Sequence, residues 1–164
     1  MLGTSSIQSA EISTIAHATE DPAKVESALR GLLQGLNQQF TRNYLEGHHG
    51  NQIVKFSTRL TQRNAVEFAR HFIEQLSKSE RSSILQDLTL HCDDEGNLYV
   101  RINKQKLFRG EVQLGDDDPI RIKIKLIDSL AICMRQSSGS WGWNNCTKQL
   151  TYTLCLEWKM NNHV

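Results

Sequence analysis

From Ile120 to Leu126 the chain reads Ile-Arg-Ile-Lys-Ile-Lys-Leu, and no other feature limits its possible folds so tightly. A period of two places Ile120, Ile122, Ile124 and Leu126 on one side of a strand and Arg121, Lys123 and Lys125 on the other. One face must be buried while the other stays in water. The stretch Leu98 to Arg109 carries the same signal, with Leu98, Val100 and Ile102 alternating with Tyr99, Arg101 and Asn103. It holds Arg101, Lys104, Lys106 and Arg109 and no carboxylate. An aromatic and basic face of this kind suits RNA, because a ring stacks on a base and a guanidinium meets a phosphate. A solvated face of an ordinary antiparallel sheet has the same pattern. The decision therefore rests on what surrounds these strands.

At 164 residues and 18.7 kDa, with 38% hydrophobic and 23% charged residues, the composition predicts one soluble globular domain with a real core. The net charge of +1 excludes a polybasic chain, so a nucleic-acid site has to be a local patch. The first residues, Met-Leu-Gly-Thr-Ser-Ser, have no basic region followed by an apolar core. The sequence thus predicts no secretory signal, no membrane span and no N-myristoylation. Cys92, Cys133, Cys146 and Cys155 form no Cys-x-x-Cys pair, and reduced thiols in a cytoplasmic protein are expected.

The order of elements follows from periodicity and caps. Ile7 to Ala18 reads as a strand. Asp21 then caps a helix whose first turn holds Pro22, and Val25, Ala28, Leu29, Leu32, Leu33 and Leu36 share one face. Gln39 to Leu45 and Gln52 to Leu60 read as two strands of a hairpin around a Gly-flanked loop. In the second of these, Ile53, Lys55, Ser57 and Arg59 face away from Val54, Phe56, Thr58 and Leu60. Thr61 is placed to cap a helix with Ala65, Phe68, Ala69, Phe72 and Leu76 inward, and Ser77 or Ser79 a shorter one. Asp93-Asp94-Glu95-Gly96-Asn97 is a turn before the basic strand, which is expected to run to Arg109. The predicted fold class is α+β, a two-layer sandwich of a mainly antiparallel sheet with helices packed on one face.

Several motifs in this order have a family resemblance. Thr19-Glu20-Asp21, Glu46-Gly47-His48-His49-Gly50-Asn51, Asp93 to Gln105, Gly110-Glu111 and Ile120 to Lys125 together resemble the archaeal family of predicted RNA-binding exosome subunits. The resemblance covers roughly Ile12 to Leu126. It implies a fold similar to ribosomal protein L5, RNA binding, and a link to the RNA-degrading exosome.

Candidate RNA-binding residues are Lys55, Arg59, Tyr99, Arg101, Lys104, Arg121, Lys123 and Lys125, joined by His48 and His49. Arginines would fork onto phosphates, lysines would act as point charges and Tyr99 would stack. These residues form one positive surface only if their strands share a sheet. Tyr44 is a second exposed ring. His48 and His49 invite a metal reading, with Glu46, His91 and Asp93 as further donors. Adjacent side chains on an extended segment point opposite ways, so a solvated loop or RNA contact is preferred, and no metal or cofactor is expected. Asp93 to Glu95 and Asp116 to Asp118 read as turns rather than magnesium ligands. No nucleophile or phosphate-loop motif appears, so a non-catalytic protein is expected. The alternatives are a protein-interaction module, docking on exosome subunits or as a homodimer through a sheet edge, and a metal-dependent enzyme of RNA metabolism.

The composition changes after Leu126. All three tryptophans and three of the four cysteines lie beyond residue 130, and Ser137 to Asn145 is rich in Gly, Ser, Trp and Asn. An RNA-binding domain over residues 1–127 and a divergent tail over 128–164 are expected, with Leu150 to Trp158 as one candidate extra strand. Limited proteolysis should nick the chain between Ser137 and Asn145 and leave a folded fragment that still binds RNA. Loss of folding on truncation after Ser137 would show instead that Leu150 to Trp158 supplies an essential strand.

Overall fold

A computed structural model describes residues 7–47, 50–93 and 95–126. Five strands form one sheet, β1 (Ile7–Ala16), β2 (Thr41–Glu46), β3 (Gln52–Thr61), β4 (Asn97–Asn103) and β5 (Pro119–Leu126), in the order β2-β3-β1-β5-β4. Every pairing is antiparallel. Helices α1 (Pro22–Leu32), α2 (Gln62–Gln75), α3 (Lys78–Gln86), α4 (Leu88–His91) and α5 (Lys104–Leu107) lie between the strands in sequence. The expected α+β fold, an antiparallel sheet with helices packed on it, is the one formed. No helix among the described residues is long and apolar enough to cross a membrane.

Alternation sorts the two faces. Ala10, Ile12, Val54, Phe56, Leu60, Leu98, Val100, Ile102, Ile120, Ile122 and Ile124 are all buried on the side covered by helices. α2 lies across β1 and β3 and sends Ala65, Phe68, Ala69 and Phe72 into this core, with the Phe68 and Phe72 rings stacked 5.9 Å apart. α1 adds Val25, Leu29 and Leu32. Its Glu26 accepts from Arg30 one turn on and from Arg42 of β2, which fixes the helix to that strand. The Arg30 bond, opposed by burial and joined by Arg42, holds the Glu26 carboxyl below its ordinary range.

The local stops follow the chemistry of the caps. Asp21 accepts from the Ala23 N–H at 2.9 Å, and Pro22 opens α1. Ser77 and Glu80 form a reciprocal capping box at α3. Thr61 stands at the expected cap position of α2, but its side chain accepts no hydrogen bond there. The largest departure from expectation is at β4, which ends at Asn103 rather than Arg109. The Asn103 side chain accepts from the Lys106 N–H at 3.0 Å and so turns the chain into α5. The tail expected from residue 128 on lies outside the described residues.

Candidate nucleic-acid interface

The register of the sheet brings the candidate basic residues together. Arg59, Glu11, Lys123 and Tyr99 form one row across β3, β1, β5 and β4. Ser57, Ser13, Arg121 and Arg101 form the next, with Lys55 beside Ile15 and Lys125 beside Asn97 in the flanking rows. Apart from Asn97, which is buried, these side chains project from the face opposite the one that α2 covers, because each alternates with a buried residue of its own strand. Glu11 is the one carboxylate that the described strands place on this face, 3.5 Å from Arg59.

Arg101 stands directly opposite Arg121 on the neighbouring strand. Like charges in that position cost stability. Arg101 is relieved by Asp116 at 3.1 Å, in an exposed pair that water screens, whereas among the described residues no carboxylate lies within salt-bridge distance of Arg121. These arginines, Lys123, Glu11, Ser13 and Tyr99 line a groove of about 700 Å³, flanked by Ser83 of α3 and its C-cap Asp87, by Leu90 and His91 of α4 and by Gly115–Asp116.

Tyr99 is 42% exposed, and its ring is fixed by two partners. Its hydroxyl donates to Asp93 at 2.9 Å, and the Lys123 ammonium sits 5.5 Å from the ring centre. The bond to Asp93 raises the phenol above its ordinary range. Asp93 itself organises the turn before β4. Burial pushes its carboxyl up, but hydrogen bonds from the Asn97 side chain and backbone, the Tyr99 hydroxyl and the Glu95 N–H outweigh it and hold Asp93 at about 2. Tyr99 is thus preorganised by a residue that the sequence offered as part of a turn and as a candidate metal donor, not as a partner of Tyr99. Tyr44 is exposed but points to the opposite side, since it pairs with inward-facing Val54. His48 and His49 lie outside the described residues, as does Asp94. The neighbouring thiol of Cys92 is pushed up to about 12 by burial and by Asp93, which keeps it protonated at neutral pH.

Lys104 corrects the expectation from sequence. It does not belong to the basic face: its side chain is fully buried, and its ammonium donates to Glu20 at 2.6 Å and to the Ile15 carbonyl at 2.8 Å. Asp118 lies 2.5 Å from the same ammonium and 3.1 Å from His17 Nε2. The chain leaves the strand after Asn103, so alternation no longer sets where Lys104 points. His17, Glu20 and Asp118 are also close enough together to bind a cation, but the ammonium already supplies the positive charge that their carboxylates need. No local pattern pointed to this cluster, because Glu20 lies 84 residues from Lys104.

Comparison with known proteins shows the family. Residues 9–126 match a family model described as RNA binding, and the chain belongs to that family. It is 32% identical over 132 residues to an RNA-binding protein of Pyrococcus abyssi, covering 77% of this chain and 86% of that one. A solved DUF54-family protein of Sulfolobus solfataricus superposes with a TM-score of 0.71 at 25% identity, covering 91% of this chain and 98% of its own. A DUF54 protein of Methanothermobacter thermautotrophicus gives 0.63 at 27% identity, covering 90% and 98%.

Two outcomes follow for Lys104 and Asp93. Lys104→Met should cost about 3 kcal/mol in denaturant melts, the lower end for breaking a buried pair because Asp118 keeps contact with water. The folded fraction should bind RNA as before, and weakened binding without lost stability would return Lys104 to the interface. Asp93 titrates at about 2 when folded, below its ordinary 3.8, so its stabilising contribution is complete above about pH 4. That contribution is lost as pH falls from 4 towards 2. The stability advantage of the unsubstituted chain over Asp93→Asn should shrink across this window, and an advantage constant from pH 6 to 2 would contradict the assignment.

Proposed function

We propose that this protein binds single-stranded RNA on the basic face of its sheet, in the cytoplasm, without catalysing a reaction on it. One observation carries the reading: Lys55, Arg59, Arg101, Arg121, Lys123 and Lys125 share that face, with two arginines opposed where β5 meets the edge strand β4. Such an arrangement costs the fold stability and is repaid when a polyanion lies across it. Arg101 and Arg121 would take phosphates through forked contacts, the lysines would add point charges, and Tyr99 would stack on a base. The net charge of +1 makes the face a local feature rather than a general stickiness for nucleic acid.

The family description supports RNA as the ligand. The exosome association and the likeness to ribosomal protein L5 implied by the sequence resemblance are part of the same proposal, as is a folded unit ending near residue 127. A pull-down from native lysate separates direct association from bridging. Exosome subunits that survive ribonuclease treatment are expected for direct contact, and their loss would mean that RNA alone links them.

The double substitution Arg101→Ala with Arg121→Ala tests the face itself. Both side chains are exposed, so folding should change little. RNA affinity should fall, and the log–log salt slope should decrease by roughly 0.7 for each lost phosphate contact on a single strand. An unchanged slope would remove this face from RNA binding.

A further inference from the structure

The two edges of the sheet are protected unequally. On the free side of β4, the Gly115 N–H donates to the Arg101 carbonyl at 3.1 Å and the Asn103 N–H to the Gln113 carbonyl at 2.8 Å. His91 Nδ1 donates to the Tyr99 carbonyl at 3.0 Å, and Glu80 holds the covering segment through the Leu114 N–H at 2.8 Å. β2, at the other edge, has every residue exposed, and among the described residues its strand pairing is to β3 alone. Tyr44 is 61% and Leu45 44% exposed there. An uncovered edge with unpaired N–H and C=O groups is a template for another strand.

We propose that β2 is the pairing edge of a homodimer, two copies joined antiparallel about a two-fold axis at Tyr44. Symmetric antiparallel pairing sets residues equidistant from the axis opposite each other. With the axis at Tyr44, Arg42 faces the partner's Glu46, Glu46 faces the partner's Arg42, and the tyrosines meet at the centre. An axis at Asn43 sets Arg42 against Tyr44 and leaves Glu46 unmatched, and an axis at Leu45 sets Tyr44 against Glu46. The charges of this strand are complementary to themselves in one register only. Arg42 bonds Glu26 within its own chain and keeps further guanidinium donors for the partner. The axis stands perpendicular to the sheet, so both basic faces look the same way and one RNA strand can span them, with the gain of a bivalent contact.

Sedimentation of the full chain, free of RNA and over rising concentration, is the test. A monomer–dimer equilibrium is expected. Arg42→Glu and Glu46→Arg should each raise the dimer dissociation constant about tenfold or more, because each opposes like charges twice. An equimolar mixture of the two variants should restore dimerisation as a heterodimer. If Arg42→Glu fails to fold for want of its bond to Glu26, oxidative cross-linking decides. Tyr44→Cys should then give a disulfide dimer above the background of the unsubstituted chain, and Leu45→Cys should not. A chain that stays monomeric throughout, a dimer indifferent to both charge reversals, or equal cross-linking at both positions would overturn the proposal.

Discussion

The buried ammonium of Lys104 ties together segments of this fold that lie far apart in the chain. It reaches the carbonyl of Ile15 at the end of β1, Glu20 just before α1 and Asp118 just before β5, from its own place at the start of α5. A charge this deep is tolerated only when its partners are fixed. Asp118, in turn, takes a left-handed backbone conformation at the corner leading into Pro119 and also accepts from His17. One cluster therefore ties the end of β1 to the connections that lead into α1, α5 and β5. The register of β5 against β4 places Arg121 opposite Arg101.

A division of labour between the faces results. Alternation commits isoleucine, leucine and phenylalanine to the helical side, so that the hydrophobic effect fixes which way each strand faces. The basic residues of this face contribute nothing to that core, and two of them, Arg101 and Arg121, oppose one another across β4 and β5. The fold accepts their repulsion, eases it with Asp116 and Glu11, and holds Tyr99 in place through Asp93 and Lys123. The proposed contact with RNA accounts for a surface that costs stability yet is held in place this firmly.

The strands and long helices were legible in the sequence because one variable, burial, governs them. Lys55, Arg59, Arg101, Arg121, Lys123 and Lys125 could each be assigned a face from their immediate neighbours. Lys104 could not, because Asn103 captures the Lys106 N–H and ends the alternation one residue earlier. Whether the basic strands share a sheet was not written in their local pattern either. It depends on strand order, and β1 has to lie between β3 and β5 for the patches to merge. The contacts of Asp93 with Tyr99 and of Asp116 with Arg101 join carboxylates that read as turn residues to side chains that read as one face of a strand. The covered edge at β4 was equally hidden, since it depends on how Glu80 of α3 holds Leu114 from 34 residues away.

Backbone amide chemical shifts, followed by NMR as a single-stranded oligoribonucleotide is added, test the central claim most directly. The account predicts that the shifts change along the rows through Arg59, Glu11, Lys123 and Tyr99 and through Ser57, Ser13, Arg121 and Arg101, while α1 and α2 stay unmoved. Changes concentrated on α1 and α2, with the basic face of the sheet silent, would contradict it.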